Sequence, residues 1–149
     1  MQDLPEAVLR VFDIMSSDVV TVSPSDTGHD AAMKMLDHDI GSVVVKDGKR
    51  VVGIITKGDI LRTVVKRGLG PKQVRVEEMM SEPVVTVSHE ASVETASKLM
   101  SRNKVSKLPV LKNDELVGIL TATDIIRSEP LEVGYLQEII SARFVPHER

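Results

Sequence analysis

The chain has no cysteine, which excludes a disulfide framework and a thiolate metal site. Aromatic residues are almost as scarce: Phe12, Tyr135 and Phe144 are the whole set, with no tryptophan. A single-stranded nucleic acid would find few rings to stack on, and the core must be built from Val, Ile, Leu and Met. No apolar run approaches the roughly 18 residues of a membrane span. The N-terminus, Met1-Gln2-Asp3-Leu4-Pro5-Glu6, lacks the basic-then-apolar pattern of a signal peptide. Neither sign of charge dominates. Lys and Arg total 19 against 22 Asp and Glu, a net charge of -3, and the basic residues are scattered rather than gathered into a nucleic-acid surface. These absences lead us to expect a cytoplasmic protein that binds neither membrane nor nucleic acid. A chain of 149 residues is one domain or two small halves, long enough to bury roughly two thirds of its unfolded surface.

What is present is a repeated order of elements. Leu4, Val8, Leu9 and Phe12 after Pro5 suit a short N-terminal helix. Val19 to Val22 reads as a β-branched strand closed by Ser23-Pro24. Ala31, Ala32, Met35 and Leu36 then fall at helical spacing, with Asp26 as the expected N-cap. Ser42 to Lys46 is an apolar run, Asp47-Gly48 signals a hairpin, and Val51 to Thr56 returns. A helix carrying Ile60, Leu61, Val64 and Val65 stops near Gly68. After a linker at Gly68-Leu69-Gly70-Pro71 the same order recurs. An offset of 65 positions lays Val11–Thr63 on Val76–Ser128 without a gap. It superposes Met15-Ser16 on Met80-Ser81, Val19–Ser23 on Val84–Ser88, and Val52-Gly53-Ile54 on Val117-Gly118-Ile119. The chain is a tandem duplication.

A unit of about 55 residues with one exposed sheet face is marginal alone. The expected fold is therefore mixed α/β: two β-α-β-β-α repeats packed through their sheets about a pseudo-twofold axis, with a cleft on each side. The expected boundaries are 11–67 and 76–128 for the repeats, a helical segment at 1–10, and a tail at 129–149. In that tail Leu131, Tyr135, Leu136, Ile139 and Ile140 have near-helical spacing.

Both repeats carry Gly-x-x-Thr-x-x-Asp-Ile-x-Arg at a strand-to-helix junction: Gly53 to Arg62 and Gly118 to Arg127. Thr56 and Thr121 with Asp59 and Asp124 match a capping box, which alone accounts for the spacing. Two features point further. Gly53 and Gly118 lie inside strands, where glycine weakens pairing unless something approaches the backbone closely. A helix N-terminus at a cleft is also an anion site. A nucleotide suits these parts, with Thr and helix N–H groups toward phosphate. Asp, an acceptor-only group that would repel phosphate, is left to pair with ribose hydroxyls. Arg62 and Arg127 are either phosphate neutralisers or solvated surface residues.

These residues, together with Val105-Ser106-Lys107-Leu108-Pro109-Val110, closely resemble a tandem pair of CBS domains, named after cystathionine β-synthase and often called a Bateman module. The resemblance covers about residues 11–128. It implies a regulatory module, frequently dimeric, that binds AMP, ADP, ATP or S-adenosylmethionine and requires no cofactor. It also implies sites drawn from both halves. One combines Asp18, Val20, Ile40 and Gly41 with Lys107, Thr121, Thr123 and Asp124. The other combines Pro83, Val85, Val105 and Ser106 with Ser42, Thr56 and Asp59. For Val20, Val85, Ile40 and Val105 the plainer reading is core, and for Lys107 a solvated surface position. Gly58 stands where the other copy has Thr123, and Ser42 where it has Lys107. We therefore expect the Lys107–Thr121–Asp124 site to bind phosphate better than its twin.

His29, His38, His89 and His147 do not form a metal-ligand spacing. No nucleophile elbow, Walker A loop or paired catalytic carboxylates occur, so no enzymatic activity is expected. The leading expectation is a regulatory sensor module that signals to a separate, unknown protein and forms a homodimer. The alternative is a structural module whose clefts stay empty and whose Thr-x-x-Asp motifs serve as caps.

Overall fold

The computed structural model describes residues 8–128. Over that range the chain builds the same unit twice. A single turn α1 (Val11–Ile14) precedes β1 (Thr21–Val22), α2 (Gly28–His38), β2 (Ser42–Asp47), β3 (Arg50–Thr56) and α3 (Lys57–Arg67). Two short 3-10 turns follow, then β4 (Val87–Ser88), α4 (Val93–Asn103), β5 (Lys107–Lys112), β6 (Glu115–Thr121) and α5 (Ala122–Arg127). Each unit is a three-stranded sheet, β1-β2-β3 or β4-β5-β6. The outer strand is parallel and the hairpin antiparallel in both. Even the irregularity is duplicated, with a register shift at Val45/Lys46 and another at Val110/Leu111.

Local chemistry explains the elements. Val43, Val44 and Val45 are fully buried β-branched residues, which suit a central strand. Gly48 turns the first hairpin at φ +63°, and Asn113 and Asp114 turn the second at +51° and +66°, residue types that tolerate the left-handed region. Helix α3 stops at Gly68, φ +65°. The cap of α2 is Thr27, not Asp26. Thr27 Oγ1 accepts from the Asp30 N–H at 3.1 Å, and the Thr27 N–H donates to Asp30 Oδ2 at 2.9 Å. Asp26 is engaged one turn earlier, accepting from the Ser23 N–H at 2.8 Å.

The units exchange their leading segments. Val11 lies in the core of the second unit with Leu108, Val110 and Leu120. Val76, its counterpart in the repeat, lies in the core of the first with Val43, Val45 and Ile55. The hydrogen bonds obey the same symmetry. The Val11 N–H donates to Ala91 C=O at 2.9 Å, and the Val76 N–H to Asp26 C=O at 2.7 Å. The Phe12 N–H donates to His89 C=O, and the Glu77 N–H to Pro24 C=O, both at 3.0 Å. Each core is closed by chain from the other repeat, so neither half is self-sufficient.

The exchange also accounts for the strand glycines. A Cβ on Gly118 would stand 2.5 Å from Met15 Sδ and 2.8 Å from Ser16 O; one on Gly53 would meet Met80 Sδ at 2.8 Å and Ser81 O at 3.0 Å. The close neighbour is the Met-Ser pair of the other repeat, which bridges to Ile119 or Ile54.

At the N-terminal side, the helix expected over 1–10 is absent from its described part, residues 8–10. Arg10 bridges Ser92, and Leu9 C=O accepts from the Val93 N–H at 3.0 Å, which holds this stretch extended across the start of α4. Residues 1–7 and the expected tail at 129–149 lie outside the described residues.

Candidate functional site

The two Thr-x-x-Asp junctions are built alike. Thr121 Oγ1 accepts from the Asp124 N–H at 3.1 Å, and the Thr121 N–H donates to Asp124 Oδ2 at 2.9 Å. Thr56 and Asp59 repeat both bonds at the same distances. These are complete capping boxes. The exposed Thr27–Asp30 pair makes a third, so the motif alone is no ligand signature. What separates the junctions is the other carboxylate oxygen. Asp59 Oδ1 accepts from Arg62 Nη2 at 2.7 Å, whereas Asp124 Oδ1 has no partner among the described residues.

Asp124 lines a cleft of about 620 Å³ between the repeats, a size common for small-molecule sites. Of the first expected set, Asp18, Val20, Ile40, Lys107, Thr121 and Asp124 all line it. Gly41 and Thr123 do not. Thr123 is exposed, and Gly41 lies behind, its carbonyl accepting from the Lys57 N–H at 3.0 Å. Ser42, assigned by resemblance to the second set, lines this cleft and accepts from Lys107 Nζ at 2.9 Å. Ser42 and Lys107 are counterparts in the repeat, so that bond crosses the pseudo-twofold axis. Partial burial, and then the neighbouring Lys57 charge, hold the Lys107 ammonium below the usual lysine pKa.

Asp37 and His38 also line the cleft and were not foreseen. They arrive at the end of α2, just before Asp39 turns the chain at φ +52°. Their counterparts are Arg102 and Asn103, so the repeat carries no signal for them. Ser16 lines the cleft as well, and the repeated Met-Ser pair was a signal for that position.

The second set is not gathered in this way. Val85 and Val105 pack against the second core, and Pro83 is exposed. Ser106 C=O accepts from the Ala122 N–H at 2.8 Å. Thr56 caps α3. Asp59 is 8% exposed and borders a smaller cavity of about 270 Å³ that includes Arg62, Lys66, Arg67 and Glu78.

Two β-α-β-β-α units that exchange their leading segments, with the capped Thr121–Asp124 junction lining a cleft between them, define a duplicated class of fold. The CBS domain model matches residues 11–66 and 76–130, and the chain belongs to the CBS domain family as a tandem pair. It is 39% identical over 132 residues to uncharacterized protein MK0525 of Methanopyrus kandleri, covering 87% of this chain and 67% of that one. It is 34% identical over 128 residues to inosine-5'-monophosphate dehydrogenase of Korarchaeum cryptofilum; that match takes 85% of this chain but 26% of the enzyme. The solved CBS pair of protein MJ0100, in complex with 5-methylthioadenosine and S-adenosyl-L-methionine, superposes with a TM-score of 0.74 at 28% identity. It covers 85% of this chain and 99% of that one. Among the described residues no helix is long and apolar enough to cross a membrane.

Proposed function

We propose that the protein is a non-catalytic sensor whose principal cleft binds an adenosine-containing ligand, AMP, ADP, ATP or S-adenosylmethionine, and transmits its occupancy to another protein. The observation that carries this reading is the second oxygen of Asp124. Oδ2 is spent on the capping box, while Oδ1 has no partner among the described residues at the edge of a cleft of ligand size. That oxygen opens on the cleft with its capacity to accept unspent, and a ribose diol supplies two donors. Thr121 and Lys107 offer a hydroxyl and a cation to phosphate, while Val20 and Ile40 offer aliphatic faces to adenine. The adenosyl ligands named for the MJ0100 structure support the ligand class. The dehydrogenase match, confined to a quarter of that enzyme, supports a module without catalysis of its own. The ligand shifts the geometry of the pair, or of a dimer of pairs, only by its difference in affinity between two shapes.

Calorimetry with AMP, ADP, ATP and S-adenosylmethionine tests this. We expect at least one to bind tighter than about 1 mM, a standard free energy near -4 kcal/mol. If all four stay weaker than that, the sensor reading fails. The capping-only module then stands, a reading that the complete boxes at both junctions favour.

A further inference from the structure

Two lysines from different repeats converge beside the principal cleft. Lys107 comes from the start of β5 and donates through Nζ to Ser42 Oγ at 2.9 Å. Lys57 comes from the first turn of α3, where its backbone N–H donates to Gly41 C=O at 3.0 Å. A Cβ on Gly41 would stand 3.8 Å from Lys57 Nζ and 4.0 Å from Lys107 Nζ, so both ammoniums approach the same point. That Cβ would also stand 3.1 Å from Lys57 Cε, and glycine is what leaves room for the lysine stem. Asp18, Asp37 and Asp124 line the cleft, yet neither lysine forms an ion pair among the described residues. The two charges act on each other: after burial, Lys57 is what lowers the Lys107 pKa. Like charges held together repel, and an anion placed between them relieves the repulsion. The repeat shows that this meeting is particular to one side of the pseudo-twofold axis. The counterparts of Gly41, Lys57 and Lys107 are Ser106, Ala122 and Ser42, so the related place has neither the charges nor the glycine.

We propose that Lys57 and Lys107 form a clamp that selects polyphosphate, so that the principal cleft takes adenosine di- or triphosphate in preference to AMP or S-adenosylmethionine. This rests on the nucleotide reading above. Lys107 stands opposite Thr121 in the β5–β6 register, on the side of the cleft where Asp124 offers its oxygen to ribose, and so takes the first phosphate. AMP ends there and leaves Lys57 unused. A second phosphate comes to lie between the two ammoniums. S-adenosylmethionine instead brings a sulfonium cation toward them. Lysine binds phosphate as a point charge on a flexible stem, and Lys57 is exposed, so it follows the second phosphate without a change of fold.

Calorimetry with AMP, ADP and S-adenosylmethionine, without magnesium, tests the clamp on wild type, Lys57→Gln and Lys57→Arg. We expect ADP to bind wild type about tenfold tighter than AMP, the lower end for a hydrogen bond to a charged group because Lys57 is exposed. S-adenosylmethionine should bind more weakly than ADP. Lys57→Gln should bring ADP within about twofold of AMP, whereas Lys57→Arg, which keeps the charge, should retain the preference. Raising the salt from about 0.1 to 1 M should shrink the ADP-to-AMP ratio more in wild type than in Lys57→Gln. The clamp is overturned by equal ratios in wild type and Lys57→Gln, by a wild-type ratio near one, or by S-adenosylmethionine binding tighter than ADP. In each of those cases a ligand still binds, and the nucleotide reading stands. If no ligand binds wild type, both fall.

Discussion

Asp124 and Asp59 stand on matching turns, each holding the backbone of its own threonine through Oδ2 at 2.9 Å. Beyond that bond they part. Asp124 borders the larger cleft with Oδ1 unpartnered among the described residues, whereas Asp59 is buried and tied to Arg62. Duplication has kept the capping half of the motif in both copies and let the surroundings of the other carboxylate oxygen diverge. The divergence turns on small neighbours: Gly58 for Thr123, Ser42 for Lys107, Pro83 for Asp18. A capping carboxylate has one oxygen for the helix and one to spare. What meets the spare one is where the two copies differ.

The comparison assumes a symmetric frame, and the largest expected effects test that. Ile55 and Leu120 are counterparts and both fully buried. Ile55→Ala and Leu120→Ala should each cost about 2–5 kcal/mol, read from urea midpoints at constant slope. A loss below about 1 kcal/mol for one of them would mean that the two cores do not share the load.

Next in size is the functional asymmetry. Asp124→Ala should weaken adenosyl-ligand binding in the principal cleft by about 1.5–3 kcal/mol, roughly 10- to 150-fold. Asp59→Ala should leave that cleft's affinity within about twofold. Both variants lose the same capping bond, so both should melt lower by about 2–4 °C per kcal/mol. Equal losses of affinity from the two would erase the distinction between the clefts. A drop in melting temperature without loss of affinity in Asp124→Ala would make that residue a cap and nothing more.

The glycines rank third. Alanine at Gly118 places its Cβ 2.8 Å from Ser16 O, and at Gly53 3.0 Å from Ser81 O. Both contacts are with backbone, which yields less readily than the flexible Met15 and Met80 side chains. Each substitution should destabilise by about 1–3 kcal/mol, Gly118→Ala more than Gly53→Ala. The reverse order would show that the two exchanged segments sit with different tightness than their geometry indicates.

How much of this was legible in the chain depends on the range of the interaction. The repeat, the hairpin at Asp47-Gly48 and the stop at Gly68 are written in adjacent residues, and they appear where the spacing puts them. The α2 cap was misplaced by one residue because Asp26 and Thr27 are both good caps, and a bond to Ser23 decided between them. The repeat aligns Val11 with Val76, yet an alignment carries no information about which core each segment joins. Hence the exchange was not readable. The glycines in β3 and β6 were rightly suspected of a close approach, but the neighbour is the other repeat's Met-Ser pair. Asp37 and His38 entered the cleft unannounced, since a helix end is steered by tertiary packing rather than by its own sequence.

The smallest expected effect concerns Lys107 in the principal cleft. Burial, and then Lys57, hold Lys107 below the usual lysine range, so folding disfavours its protonated form. Between the lowered folded value and the ordinary unfolded one, the unfolded chain holds more protons, and stability gains from this group as pH rises through that window. A bound phosphate reverses the preference by stabilising the ammonium. Binding then takes up a proton wherever free Lys107 is partly neutral, and phosphate-ligand affinity must fall as pH climbs through the lowered value. The slope should be at most one proton and confined to alkaline pH, well above the phosphate's own second ionisation near pH 6. Calorimetry of AMP in buffers of different ionisation enthalpy, from about pH 7.5 to 10, would show the uptake in wild type. Lys107→Gln should abolish it, and adenosine should show none in either protein. If wild type and Lys107→Gln share one flat profile for AMP, Lys107 does not meet the phosphate. Its bond to Ser42 across the pseudo-twofold axis would then be its whole role, and the principal cleft would lose its claim to the stronger phosphate site.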